Sequence, residues 1–332
     1  MKFKPLYYYF FIFVLFLSTS LFANENYANR EEVQAFIKEM TIKNNFNPDE
    51  LNHVFSLVKF QPSVIKAILP PSTPNVRSWT RYRSRFVNAQ RIAKGHAFMA
   101  KYADTLNRAE FIYQVPAEII ASIIGVETVF GENTGNYRVI DVLTTLSFDY
   151  PKRADYFKTE LEAFFLLCRE QQIDVFMMKG SYAGAVGLPQ FMPSNIRKLA
   201  VDFDNDGIID LLNNPVDAIG SVANYFRAFG WQKDAPIAIA IDVAEPIPAR
   251  YLQDITPILT TADVATIKFL PRSTEQQLIL DAGIKFAFIP LETPNLATEY
   301  WLGFNNFYVI TRYNKSSFYA MSVMQLAEEI RK

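Results

Sequence analysis

Residues 116–128 read Pro116-Ala117-Glu118-Ile119-Ile120-Ala121-Ser122-Ile123-Ile124-Gly125-Val126-Glu127-Thr128. Pro116 opens a helix that runs through Glu127 and stops before Gly131. Ile120, Ile123 and Ile124 lie seven, four and three residues before Glu127, so its carboxylate falls on the face that should be buried. An unpaired glutamate there is costly to ionise, and desolvation should raise its pKa. The negative end of the helix dipole pushes the same way. A carboxylic acid still protonated near neutral pH can pass its proton to a leaving oxygen. The same spacing also suits a glutamate paired with Arg138 or Arg153, or one facing solvent at a frayed helix end.

Outward from this helix the chain stays mainly helical. Val33, Phe36, Ile37 and Met40 repeat at three and four within a helical region from Glu31 to about Leu69. Asn47-Pro48-Asp49-Glu50 reads as an N-cap, a first-turn proline and an acidic first turn, with Leu51, Val54, Phe55 and Val58 as the buried stripe. Pro70, Pro71 and Pro74 then break the chain. Residues 88–113, 154–171 and 217–229 carry further helical patterns. After Pro236 short β-favouring runs appear: Ile237–Val243, Ile267–Leu270, Ile284–Ile289 and Phe307–Thr311. Ser316 or Ser317 caps a last helix with Ala320, Val323, Met324 and Leu326. The fold expected is mainly α (α+β), with a small β-rich insert near its end.

Composition narrows the chemistry. The 332 residues carry 33 Lys+Arg against 34 Asp+Glu, a net charge of −1, and so offer no basic footprint for nucleic acid. Half the residues are hydrophobic, which excludes a disordered or collagen-like chain. One cysteine allows no internal disulfide, and two histidines make a histidine-built zinc site improbable. Lys2 and Lys4, the apolar run Leu6–Leu17 and small residues up to Ala23 fit a signal peptide at residues 1–23. An uncleaved anchor over Leu6–Ala23 is the alternative. Cys168 lies far from this segment, leaving no cysteine for lipid attachment there.

Two further stretches carry chemistry. Lys179–Ser194 is dense in small residues that permit close backbone approach, and its Gln190, Phe191 and Met192 could serve a sugar ring; tight helix packing explains the same residues. It matches neither G-x-G-x-x-G nor a P-loop. Asp202-Phe203-Asp204-Asn205-Asp206-Gly207-Ile208-Ile209-Asp210 places carboxylates at positions 1, 3, 5 and 9 of an EF-hand-like loop, with glycine at position 6 and the Ile208 carbonyl at position 7. Asn213 stands at position 12, where the bidentate glutamate belongs, and Asp217 is the nearest substitute. A solvated acidic turn is the plainer alternative. The expected cofactor is a structural Ca2+, with no organic cofactor.

In order, Gly125–Thr128, Leu143-Thr144-Thr145-Leu146-Ser147-Phe148, Gly180–Ser194 with its QFMPS ending, the DxDxDG loop and Asp217–Tyr225 resemble the family of membrane-bound lytic murein transglycosylase B. Ile310–Asn314 and Tyr319-Ala320-Met321 resemble its C-terminal end. The resemblance spans roughly Glu31 to Leu326. It implies a lysozyme-like fold that cleaves the β-1,4 MurNAc–GlcNAc bond of peptidoglycan without water, leaving 1,6-anhydroMurNAc ends. The family's catalytic acid/base falls on Glu127. Its calcium ligands fall on Asp202, Asp204, Asp206, Ile208 and Asp217. Its glycan-groove residues fall on Tyr82, Ser181, Gln190, Phe191, Tyr225, Tyr313, Asn314 and Tyr319, while Lys152 and Arg153 stand where the family contacts peptide or carboxylate groups. Leu188-Pro189 before Gln190 departs from the family pattern.

The implied organisation is a signal peptide at 1–23, an N-terminal helical region at 24–80, a lysozyme-like catalytic core at 81–235 with its calcium loop at 202–217, a β-rich region at 236–312, and a helix at 313–332 returning to the core. The expected setting is periplasmic, with possible membrane association. The expected partners are glycan strands and other cell-wall enzymes, with the chain a monomer. No second carboxylate has an apolar setting like that of Glu127; Glu132 and Asp141 stand in loop-like sequence. A muramidase-type hydrolase, a non-catalytic peptidoglycan-binding scaffold and a calcium sensor are the rival readings. His53 and His96 read as packing or surface residues, and Cys168 as a buried small hydrophobe.

Overall fold

The computed structural model describes residues 26–70 and 77–332, so the expected signal segment lies outside the described residues. The described residues divide into two compact units, one ending at Val58 and one beginning at Lys59.

The first unit is a short 3-10 turn, Tyr27–Asn29, followed by α1 (Glu31–Asn44) and α2 (Pro48–Leu57). Val33, Phe36, Ile37 and Met40 of α1 are buried, as the three-and-four spacing requires. The Phe36 and Phe55 rings meet edge to face at 6.0 Å. Asn45 ends α1 in the left-handed region at φ 56°, and Asn47 caps α2 by accepting from the Asp49 N–H at 2.8 Å.

The second unit is built around one buried helix. Its helices are α3 (Pro62–Ile68), α4 (Trp79–Phe86), α5 (Ala89–Lys101), α6 (Ala103–Tyr113), α7 (Ala117–Thr128), α8 (Val139–Phe148), α9 (Ala154–Glu170), α10 (Pro193–Leu199), α11 (Pro215–Ala228), α12 (Thr274–Asp281), α13 (Asn305–Tyr313) and α14 (Ser317–Arg331). Ten of the twelve residues of α7 are buried, because α14, α5, α6 and α11 all pack on it. Glycine also lets α5 approach α14: a Cβ on Gly95 would lie 2.4 Å from the Ile330 side chain. The α8–α9 pair lies beside this bundle with α10 against α9. Cys168 is buried on α9, and burial pushes its thiol up to about 12.

Two short strands, β1 (Tyr137–Arg138) and β2 (Lys179–Gly180), pair antiparallel and join the loops on either side of α8 and α9. A four-stranded antiparallel sheet in the order β4-β3-β6-β5 forms the β-rich region. Its strands are β3 (Ala238–Val243), β4 (Phe269–Pro271), β5 (Ala287–Leu291) and β6 (Glu299–Gly303). Register places Ile239 opposite Leu302 and Leu302 opposite Phe288, so alternate residues build one apolar face with Ile241, Phe286, Tyr300 and Phe304.

Three expectations need correction. Phe307–Thr311 is the middle of α13, not a strand; its β-branched and aromatic residues are buried at helical spacing, with Phe307, Val309 and Ile310 inward. Residues 88–113 form two helices, broken at Tyr102, whose φ of −113° and ψ of 26° leave the helical region. Asp141 is not in a loop. It lies in the first turn of α8, buried and paired with Arg138 at 2.8 Å, and it also accepts from the Lys59 N–H.

Candidate active site

Glu127 sits in the last turn of α7. The helix ends just beyond it in a Schellman-type turn: Val129 donates to the Gly125 carbonyl and Phe130 to that of Ile124. Val129 and Phe130 both adopt left-handed φ, 55° and 59°. That conformation is uncommon for any side chain and strained for a β-branched one. It folds Phe130 back over Gly125, where a Cβ would lie 2.5 Å from the Phe130 ring. Any side chain two residues before the carboxylate would have to push the Phe130 ring aside.

The carboxylate itself has one hydrogen-bond partner among the described residues. Tyr319 of α14 donates its phenol to Oε1 at 2.6 Å. Burial raises the Glu127 pKa from an ordinary 4.5 to about 7, and the Tyr319 hydrogen bond partly offsets that rise. Arg138 is paired with Asp141, and Arg153 stacks over Tyr156 at 4.4 Å. Neither neutralises Glu127. Lys94 is likewise paired with Glu132.

Tyrosines surround this acid. Burial and then the Glu127 charge hold the phenols of Tyr313 and Tyr319 well above 10, and the same two causes raise Tyr82. The Tyr313 and Tyr319 rings stack 15° from parallel at 6.5 Å. Tyr313 continues into an aromatic floor, meeting Tyr225 at 4.7 Å and Phe191 at 5.8 Å. Each phenol on this floor is fixed by a backbone carbonyl: Tyr313 donates to Pro189 and Tyr225 to Arg312, at 2.6 and 2.7 Å.

The small-residue segment beside this floor is a network of close backbone contacts. A Cβ on Gly187, at φ +74°, would lie 2.1 Å from the Leu211 carbonyl oxygen, and one on Gly180 would lie 2.3 Å from that of Ala185. Thr128, next to Glu127, donates to the Leu188 carbonyl at 3.0 Å, which ties the loop to α7. Gln190 stands at φ 52° and donates both amide hydrogens internally, to Thr134 and Gly187 carbonyls at 3.0 and 2.9 Å. Its Oε1 is left as the acceptor. Glu132, Asn133, Asn136, Tyr137, Ser181, Tyr182 and Gln190 line a cavity of about 310 Å³ here.

The structure thus gathers Tyr82, Tyr313 and Tyr319 around Glu127, with Tyr225 and Phe191 reached through Tyr313 and Gln190 next to the Pro189 carbonyl that receives Tyr313. Ser181 turns its hydroxyl to its own loop, accepting from Ala185 N–H at 3.1 Å. Lys152 and Arg153 lie exposed on a 3-10 turn, Pro151–Arg153, and Asn314 is exposed at the end of α13. Arg153 stacks over Tyr156 and Phe157, and the Tyr156 hydroxyl is near enough to add to the burial that raises that of Tyr225.

The acidic loop presents a candidate cation site. Carboxylate oxygens of Asp202, Asp204 and Asp217 lie within 4.8 Å of one another. Asp217 is fully buried and receives the Phe203 and Asp210 N–H groups at 2.8 Å each; burial, then the charges of Asp204 and Asp202, raise its pKa. Like charges converging on a buried carboxylate fit a hard cation bound through oxygen. Asp206 is not part of this cluster and accepts from the Ile208 N–H. Asn213, at position 12, donates to Asp210 at position 9. The loop is anchored by Phe203, which packs on Gly220 of α11 and under the Arg108 guanidinium at 4.1 Å.

The family described as the transglycosylase SLT domain matches residues 28–328. Membrane-bound lytic murein transglycosylase B of Escherichia coli is 41% identical over 317 residues, covering 92% of this chain and 84% of that protein. Catenated lytic transglycosylase SltB1 of Pseudomonas aeruginosa superposes with a TM-score of 0.85 at 44% identity, covering 92% of this chain and 98% of that one. The lytic transglycosylase Slt35 of Escherichia coli, solved in complex with calcium, gives 0.83 at 40% identity, with coverage of 92% and 94%.

Proposed function

The chain belongs to the transglycosylase SLT domain family, with a lysozyme-like fold and lytic transglycosylase activity on peptidoglycan glycosidic bonds, and we propose that Glu127 is its single general acid and base. The supporting observation is the burial-raised Glu127 carboxyl, near 7, held by one neutral phenol. Glu127 starts protonated and gives its proton to the oxygen leaving toward GlcNAc as the C1–O4 bond breaks. The MurNAc acetamido oxygen stabilises the oxocarbenium-like centre in place of a second carboxylate. The MurNAc 6-hydroxyl then attacks C1, its proton returns to Glu127, and a 1,6-anhydro end forms. No water enters the product.

Tyr313 supplies a partly exposed face on which a sugar ring stacks, backed by the buried rings of Tyr225 and Phe191, and Tyr82, Gln190 and Tyr319 offer polar groups beside it. Ser181, Asn314, Lys152 and Arg153 complete the proposed binding surface, the last two taking anionic groups of the substrate. Asp202, Asp204 and Asp217, joined by Asp206 and the Ile208 carbonyl, would hold a calcium ion that neutralises their charge and clamps the loop to α11. A relative solved with calcium supports that reading. Residues 81–235 serve as the catalytic core. Export through residues 1–23 to the periplasm would bring the monomeric enzyme to glycan strands and other cell-wall enzymes.

Digestion of purified peptidoglycan tests the proposal. Released fragments should be lighter by one water than hydrolysis products, and fragments with ordinary reducing ends would make the enzyme a hydrolase.

A further inference from the structure

Glu160 is a buried carboxylate, 4% exposed on α9, for which the chemistry above has no use. A carboxylate in such a place needs strong hydrogen bonds to remain there. Both of those it has come from a single residue: Ser194 donates its N–H to Oε2 at 2.9 Å and its hydroxyl to Oε1 at 2.7 Å. Ser194 is the second residue of α10, whose own N-cap, Met192, supplies no side-chain acceptor. Glu160 therefore satisfies a helix start from across the α9–α10 contact.

Ser194 lies three residues after Phe191 and four after Gln190, with the φ-restricted Pro193 between. The other side of that segment is already fastened. Phe191 bridges back to Val186, Gln190 bonds to Thr134 and Gly187, and Pro189 receives Tyr313. Glu160 holds the remaining end. One turn earlier on α9, Tyr156 packs under Arg153, and burial and then the nearby Glu160 charge raise its phenol.

We propose that Glu160 is a positioning residue for the reaction: through Ser194 it sets where Phe191 and Gln190 stand under Tyr313, the ring that links this floor to Glu127. The inference rests on the transglycosylase reading above. Glu160→Gln keeps the side chain's shape and replaces one acceptor with an amide that cannot receive Ser194. The expected result is a fall of about tenfold in kcat/KM on soluble glycan strands, as small misplacements near a reacting centre produce. The loss should appear mainly in KM, with the alkaline limb set by Glu127 unmoved. Ser194→Ala, which removes only the hydroxyl bond, should shift KM in the same direction by less. Adding it to Glu160→Gln should cost little more, because both changes break one link.

A group that merely caps α10 would lower the melting temperature in both variants while leaving KM and kcat unchanged below the transition; that outcome overturns the proposal. If Glu160→Gln does not fold, Ser194→Ala decides alone, and an unchanged KM there overturns it too. Wild-type protein that releases no fragments from peptidoglycan would sink both this inference and the reading it rests on.

Discussion

The Tyr319 phenol reaches the Glu127 carboxylate at 2.6 Å across 192 residues of sequence. A donated hydrogen bond stabilises the charged form of a carboxylate, so this contact lowers a pKa that burial has raised. Tyr319→Phe should therefore move Glu127 further up, by about one pH unit for a bond to a charged group. The alkaline limb of kcat/KM should shift to higher pH while the maximum rate falls. A limb that moves down, or stays in place, would show that Tyr319 does not govern the acid.

Replacement of the acid itself separates chemistry from folding. Glu127→Gln should lose about 10²–10⁴ in rate on peptidoglycan. Its stability should change in the opposite direction. The folded pKa of about 7 lies above the ordinary 4.5, so the unfolded chain releases its proton first. Wild-type stability is then complete below pH 4.5, declines as pH rises toward 7 and stays reduced above it. The glutamine has no proton to lose. At pH 8 the variant should be the more stable protein, by up to about 3 kcal/mol, and near pH 4.5 the two should melt together. Denaturant unfolding at both pH values measures this.

Glu127 was legible because helical spacing alone places it on an isoleucine-rich face. Tyr313 and Tyr319 were not legible in that way. They arrive from the far end of the chain, and only family resemblance pointed to them. Phe307–Thr311 misled because its residue types favour strands locally, while burial of Phe307 and Ile310 on one helix face decides the outcome. In the acidic loop, alternation along the sequence brings Asp202 and Asp204 near Asp217, while the Asp206 bond to the Ile208 N–H is a local turn that a spacing rule does not describe. Glu160 was invisible for a related reason. Its neighbours Leu161, Phe164 and Phe165 mark the inner face of α9, and nothing in sequence tells that Ser194 would meet a carboxylate among them.

The cation site gives a prediction about stability. Ligand that binds only the folded state stabilises by about 2.7 kcal/mol at a hundred times its dissociation constant. Millimolar calcium should raise the melting temperature by several degrees, and a chelator should reverse the shift. Asp204→Asn should abolish the response at little cost of its own, since Asp204 is exposed. Asp217→Asn should abolish it and also destabilise the chelated protein, because Asp217 accepts the Phe203 and Asp210 N–H groups. Equal calcium shifts in wild type and Asp204→Asn would remove that residue from the site.

The small-residue loop offers the sharpest steric test. Gly187 and Gly230 both stand at positive φ, +74° and +89°, so alanine at either position meets the same backbone penalty of about 1 kcal/mol. Their surroundings differ. A Cβ at Gly230 meets nothing within 4 Å, whereas one at Gly187 would lie 2.1 Å from the Leu211 carbonyl oxygen, a backbone atom that also accepts from Leu188. Gly187→Ala must displace that carbonyl and with it the turn that presents Gln190. It should destabilise by at least 1–2 kcal/mol more than Gly230→Ala and lower activity on peptidoglycan at temperatures where the protein remains folded. Matching denaturation midpoints for the two variants would mean that the Gly187 turn yields freely, and the fixed geometry assigned to Gln190 would fall with it.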